Sequence, residues 1–233
     1  MMKRLLLFDI DGTLLSTNGA ARRAFERALT DVYGTAGPIE KHAFDGKTDP
    51  QIARELMSAA GIPRERIDAR LPDLWDAYLS GLAGEMQATN YRTHVYPGVR
   101  ELLDALAAQT AVVLALLTGN VARGAQLKLA SAGLHGYFRF GAFGSDCEQR
   151  TGLPQVAIAR AQAETGRAFT GKDVVVIGDT PADVRCGEAL GVFTVGVSTG
   201  RHSRADLMAE GADVVFHDLS DTESVLRVLL PVA

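Results

Sequence analysis

Two aspartates two residues apart, Asp9 and Asp11, close the apolar run Leu5-Leu6-Leu7-Phe8 near the start of the chain. Carboxylates this close repel, and each raises the other's pKa unless a cation lies between them. A hard cation such as Mg²⁺ takes oxygen ligands, keeps several waters and suits such a pair. Gly12 follows and can supply the backbone angles of a sharp turn. Two other apolar runs also end in polar groups. Val112 to Leu117 ends in Thr118-Gly119-Asn120, where a hydroxyl and the N–H groups opening a helix suit a phosphoryl oxygen. Val174-Val175-Val176-Ile177 ends in Gly178-Asp179-Thr180-Pro181-Ala182-Asp183. Asp179 at that strand end can face Asp9 and complete an oxygen cage for the cation. Asp183 lies one helical turn further and can bind directly or through a water.

These groups need a scaffold that gathers three strand ends. Apolar runs without alternation read as strands buried on both faces of a parallel sheet. After the first strand the spacing turns helical from Ala20 to Tyr33, stopped by Gly34. Asp49-Pro50 reads as an N-cap with proline at the first helical position, and Gly61 closes that helix. Pro72 reads as the start of another, with Leu74, Trp75, Tyr78, Leu79 and Leu82 on one side. No convincing strand returns before Tyr91, far beyond the dozen or so residues of an ordinary crossover. The stretch 16–91 is therefore expected to be an inserted α-helical domain, with 1–15 and 92–233 forming the core. Strands and helices then alternate: a helix over 99–108, a strand over 111–117, a helix over 121–132 and a short strand over 138–143. A helix over 154–165, a strand over 173–177, a helix over 181–190 and a strand over 192–197 follow. A short helix, a strand at 213–216 and a last helix to about Leu230 complete the pattern. The expected fold is α/β, a doubly wound (Rossmann-like) parallel sheet with an α-helical insertion. Ligands in such sheets bind at the carboxyl ends of the strands.

The string Asp9-Ile10-Asp11-Gly12-Thr13-Leu14 resembles the first motif of the haloacid dehalogenase superfamily, DxDGT[LV], residue for residue. Thr118 after its apolar run resembles the second motif, and Gly178 to Asp183 resembles the fourth, GDxxxD. The helical insertion sits where that superfamily carries its helical (C1-type) cap. The resemblance implies a phosphoryl-transfer enzyme of the phosphoglycolate phosphatase and β-phosphoglucomutase subgroup. Asp9 would attack phosphorus, and Asp11 would shuttle the proton of the leaving oxygen. Mg²⁺ would be held by Asp9, the Asp11 carbonyl and Asp179, while Thr118 and the N–H groups of Gly119 and Asn120 would hold phosphoryl oxygens. The third motif departs from the pattern. The family places a lysine there, and none stands between Lys128 and Lys172. Arg150, permanently charged and with a fork of donors, is the first choice, and Lys128, two turns into a helix, the runner-up. The loop Phe44 to Asp49 coincides with the family's substrate-specificity loop, so Lys47 is expected to contact substrate.

The 233 residues, 47% hydrophobic and 22% charged, describe an ordinary globular chain. The net charge of −4 disfavours broad binding to nucleic acid or anionic membranes. No apolar stretch approaches a membrane span or a signal peptide, and Cys147 and Cys186 form neither a disulfide framework nor a CxxC site. The expectation is a cytoplasmic monomer or homodimer acting on a small phosphate ester. Asp11 and the fourth motif argue against dehalogenation, which the family performs without a second aspartate or metal. A phosphomutase shares the core motifs and is the enzymatic alternative. A non-catalytic phosphometabolite-binding protein is the alternative of a different class.

Overall fold

Leu5, Leu6, Leu7 and Phe8 are fully buried, because β1 (Arg4–Phe8) is the inner strand of a six-stranded parallel sheet. The computed structural model describes residues 3–88, 91–188 and 190–231. β1 pairs on one side with β4 (Val112–Thr118) and on the other with β6 (Val174–Gly178). β5 (Gly141–Phe143) lies outside β4, while β7 (Phe193–Val197) and β8 (Val214–Phe216) extend the other edge. The strand order is thus β5-β4-β1-β6-β7-β8.

Period-two alternation along β1 sends Leu6 and Phe8 to one face and Leu5 and Leu7 to the other. Leu6 and Phe8 share a core with α4 (Val99–Ala107), α5 (Ala122–Ser131) and α9 (Thr222–Leu229). Leu5 and Leu7 meet α6 (Leu153–Thr165) and Cys186 of α7 (Pro181–Glu188). Burying each such side chain stabilises the fold by about 1.5–3 kcal/mol, so two such faces fix the register firmly. That register sets Phe8 opposite Leu116 and Ile177, so Asp9, Thr118 and Asp179 emerge at one sheet edge. The chain leaves β1 toward β4 and β5 and later returns to β6, which makes this edge the topological switch point.

Three helices form the insertion: α1 (Ala20–Tyr33), α2 (Asp49–Ala59) and α3 (Arg64–Gln87). They have a core of their own around Phe25, Leu29, Leu56, Leu74 and Leu82. A two-stranded antiparallel pair, β2 (Leu15–Ser16) with β3 (His94–Val95), brackets them where the chain leaves and re-enters the core. α8 (Arg204–Ala209), capped by a Ser203–Asp206 box, covers β7 and β8.

Two local expectations need correction. Pro72 does not open a helix but lies inside the 24-residue α3. Ile67, fully buried in the insertion's core, continues the helix upstream, and its carbonyl accepts the Tyr33 hydroxyl at 2.9 Å. Packing here outweighs the one backbone bond that proline removes. The N-cap of α2 is Thr48, whose hydroxyl accepts the Gln51 N–H at 3.2 Å, and not Asp49. The Asp49 carboxylate is therefore free to reach elsewhere. Smaller differences concern lengths. The strand expected over 138–143 begins only at Gly141, after a 3-10 turn at His135–Tyr137. The end of the helix expected over 181–190 includes residue 189, which lies outside the described residues.

Candidate active site

Asp9 leaves the end of β1 with its N–H bonded to the Ile177 carbonyl at 2.9 Å, which holds it between β4 and β6. The next residues form a tight turn: Leu14 and Leu15 N–H both return to the Ile10 carbonyl, at 2.9 and 3.0 Å. Gly12 has φ +87°, and a Cβ there would overlap the Asp179 carboxylate, so only glycine lets the two come together. Gly200, in the loop after β7, makes room for Asp179 in the same way. Thr13 donates to Asp179 at 3.2 Å.

Asp9, Asp179 and Asp183 are buried, with one carboxylate oxygen from each lying within 4.8 Å of the others. Burial pushes the Asp9 carboxyl up to about 7; Arg150 opposes that shift, and Asp183 and Asp11 add to it. Asp179 is likewise raised, by burial and then by the Asp9 and Asp183 charges. With three carboxylates against the single guanidinium of Arg150, the cluster is short of positive charge. An all-oxygen donor set of this kind fits a hard divalent cation, which Asp9 and Asp179 would hold. Asp183 differs from the other two, because both of its oxygens are engaged. Oδ2 accepts the Thr180 N–H at 3.1 Å and hydroxyl at 2.6 Å, while Oδ1 accepts Arg150 Nη2 at 2.5 Å.

Arg150 sits on the 3-10 turn Arg150–Gly152 that leads into α6, only 7% exposed. Its Nη2 stands 2.5 Å from Asp183 and 3.1 Å from Asp9, so one nitrogen bridges two carboxylates. Nε is buried without a hydrogen-bond partner. The bridge to the two carboxylates thus uses a single nitrogen of the forked array.

Lys128, the runner-up on sequence for the third-motif cation, is only 4% exposed. Its ammonium reaches both oxygens of Asp11 at 2.7 and 2.8 Å and Asn120 Oδ1 at 2.6 Å. The Asn120 amide in turn donates to Asp11 and to the Thr118 hydroxyl, each at 2.7 Å. This network fixes one rotamer for Asp11, whose side chain is 42% exposed. The structure thus divides the two candidate cations, with Arg150 beside Asp9 and Lys128 beside Asp11.

The loop before α2 closes over these groups. Asp49 N–H donates to the Gly119 carbonyl and Asp49 Oδ2 accepts the Val121 N–H, both at 2.8 Å. Thr48 donates to the Glu148 carbonyl at 2.8 Å, and Arg54 pairs with the Glu148 side chain at 2.9 Å. Gly119 has no room for a Cβ, because the Lys47 carbonyl packs directly on it. Between insertion and core lies a cavity of about 290 Å³, lined by Asp9, Asp11, Thr118, Lys128, Arg150 and Asp179 among others. Lys47 lines it as well, with its ammonium 2.5 Å from Glu55. Several lining residues escaped the sequence reading, the Asp49 side chain and Tyr78 among them. Asp49 resembled an N-cap and Tyr78 a core aromatic, and no local signal marks either as facing a cavity.

The chain matches the sequence profile of haloacid dehalogenase-like hydrolases over residues 6–197. It is 28% identical to a phosphoglycolate phosphatase of Pseudomonas putida, over 99% of this chain and 79% of that protein. It is 24% identical to 2-deoxyglucose-6-phosphate phosphatase 1 of Saccharomyces cerevisiae, over 95% of this chain and 90% of that protein. Its fold matches the crystal structure of a predicted phosphatase from Clostridium acetobutylicum with a TM-score of 0.72 at 18% identity, covering 97% of this chain and all of that one. With the motifs gathered at one sheet edge beneath a helical insertion, the chain belongs to the haloacid dehalogenase-like hydrolases.

Proposed function

We propose that the protein is a Mg²⁺-dependent phosphomonoester hydrolase acting on a small phosphorylated metabolite through an aspartyl-phosphate, as the relatives named phosphoglycolate phosphatases suggest. One observation carries this reading: a buried carboxylate, Asp9, shares an acidic cluster and a bridging arginine, and the Asp11–Lys128 pair lines the same cavity.

Asp9 is the nucleophile. Arg150, steadied by Asp183, keeps positive charge against it and against the phosphoryl oxygens that approach it. Thr118, with its oxygen already accepting from Asn120, has its O–H left to donate to a second phosphoryl oxygen. The N–H groups of Gly119 and Asn120 open the turn into α5 and serve the same end. Asp11, held in place by Lys128 and Asn120, protonates the leaving oxygen and later takes a proton from the attacking water. Asp9, the Asp11 carbonyl and Asp179 are the groups that would hold Mg²⁺, which supplies the charge to offset repulsion between carboxylate and phosphate. Residues 16–91 act as a cap that excludes water and closes over the leaving group.

The test is phosphate release from a panel of esters with Mg²⁺ and with EDTA, alongside an Asp9→Asn variant. Mg²⁺-dependent release that disappears in Asp9→Asn is the expected result. Isomerisation of a sugar phosphate without net release would replace hydrolase by mutase. Binding of phosphate esters without turnover would overturn catalysis altogether.

A further inference from the structure

The cap wall of the cavity carries a feature that the phosphatase reading leaves unused. Tyr78, on α3, lines the cavity and is only 2% exposed. Its ring packs edge-on against Phe25 with centroids 5.2 Å apart and lies close to Gly124 of the core helix α5. Among the described residues its hydroxyl has no hydrogen-bond partner. A buried phenol normally finds one. An orphan hydroxyl facing a cavity is therefore a donor and acceptor kept for whatever fills it.

Asp49 lines the same space, and the charges of Asp49 and Asp11 both act on Tyr78. Asp49 Oδ2 is anchored by the Val121 N–H, while Oδ1 has no protein partner. Burial pushes Asp49 up to about 6, so near neutral pH it is mostly ionised and acts as an acceptor. A phenolic donor and a carboxylate acceptor, placed beside the residue that protonates the leaving oxygen, match an alcohol, which both donates and accepts. They do not match a carboxylate, which offers Asp49 no proton and adds like charge.

The remaining cationic groups that line the cavity do not reverse this preference, because each is already engaged. Lys47 is bonded to Glu55 at 2.5 Å. Arg22 donates to the Ile39 carbonyl at 2.6 Å and stacks over Phe44 at 4.8 Å. Arg201 is 77% exposed and stands 3.7 Å from Asp45.

We propose that Tyr78 and Asp49 read a hydroxyl group on the leaving alcohol. The preferred substrates are then phosphate esters of polyols or sugars rather than of hydroxy acids. The proposal rests on the phosphatase reading and narrows it toward a neutral, hydroxyl-bearing leaving group.

Three esters on one two-carbon frame isolate the effect: 2-hydroxyethyl phosphate, 2-phosphoglycolate and ethyl phosphate. With Mg²⁺ present, kcat/KM for 2-hydroxyethyl phosphate should exceed that for each of the others by about tenfold or more, since a site built to bond a hydroxyl rejects analogues lacking one. Tyr78→Phe should collapse the ratio of 2-hydroxyethyl to ethyl phosphate toward one. Asp49→Asn should raise the ratio of 2-phosphoglycolate to ethyl phosphate. Because each readout is a ratio within one variant, a general loss of folding or activity does not imitate it. A wild-type preference for 2-phosphoglycolate, or ratios that neither substitution moves, overturns the proposal and leaves the phosphatase intact. No release from any of the three or from p-nitrophenyl phosphate overturns both.

Discussion

Replacing Arg150 with methionine tests the electrostatic design of the acidic cluster. Arg150 Nη2 is 3.1 Å from Asp9, which at an effective dielectric of about 20 is an attraction of about 5 kcal/mol. Removing one partner of a buried ion pair costs about 3–5 kcal/mol, because the remaining charges have lost both water and counter-ion. Asp9 already sits at about 7 with Arg150 present, against an ordinary 3.8. Between those values the folded protein holds a proton that the unfolded chain has released, so metal-free stability falls as pH rises from about 4 to 7. Methionine removes the one charge that pulls Asp9 down, so the fall extends to higher pH. Urea unfolding in EDTA should show a loss of about 3–5 kcal/mol at pH 8 and a clearly smaller loss at pH 5, where bound protons replace the missing charge. Turnover at pH 8 should drop by a factor of about 10² or more. Arg150→Lys should keep most of both, because a single nitrogen makes the bridge in the native protein. Equal stability of Arg150→Met and wild type at pH 8, or a loss independent of pH, would refute the reasoning.

Other expectations follow from the remaining contacts. Lys128→Ala removes three bonds of 2.6–2.8 Å and frees Asp11 to rotate, which should lower kcat by about 10²-fold while denaturation shows a loss of about 1–3 kcal/mol. An unchanged kcat would remove Lys128 from the account. Gly119→Ala drives a methyl into the Lys47 carbonyl and should lift the loop before α2 from the core. A misplacement of about 1 Å there should cut kcat/KM by up to about 10²-fold, with little change in the melting temperature of the core. In thermal melts, Mg²⁺ at a hundred times its Kd should stabilise the wild type by about 2.7 kcal/mol, and Asp179→Asn should abolish most of that gain.

How much of this was legible in the sequence depends on the range of the contacts. β1, β4 and β6 and the polar groups at their ends are local patterns, so Asp9, Thr118 and Asp179 were placed at one edge from apolar runs and parallel pairing alone. Helix α1 matched its expected span, since its apolar spacing and Gly34 are both local signals. Lys128 ranked only second on sequence because its partner Asp11 is 117 residues away, and nothing near it in sequence marks that face of α5 as buried. Asp49 and Tyr78 acquire their position only once the cap docks on the core, through bonds such as Asp49 to Val121. Pro72 shows the opposite failure: a strong local signal was overridden by packing around Ile67.

Whether Asp9 carries the phosphoryl group during turnover can be read by acid-quenching the Mg²⁺-loaded enzyme during hydrolysis of a good ester and mapping the peptides by mass spectrometry. A phosphoryl adduct on the Asp9 peptide that hydroxylamine removes and that Asp9→Asn lacks is the expected result. Sustained phosphate release with no adduct at Asp9 under any quench, or release that persists in Asp9→Asn, would contradict Asp9 as the carrier.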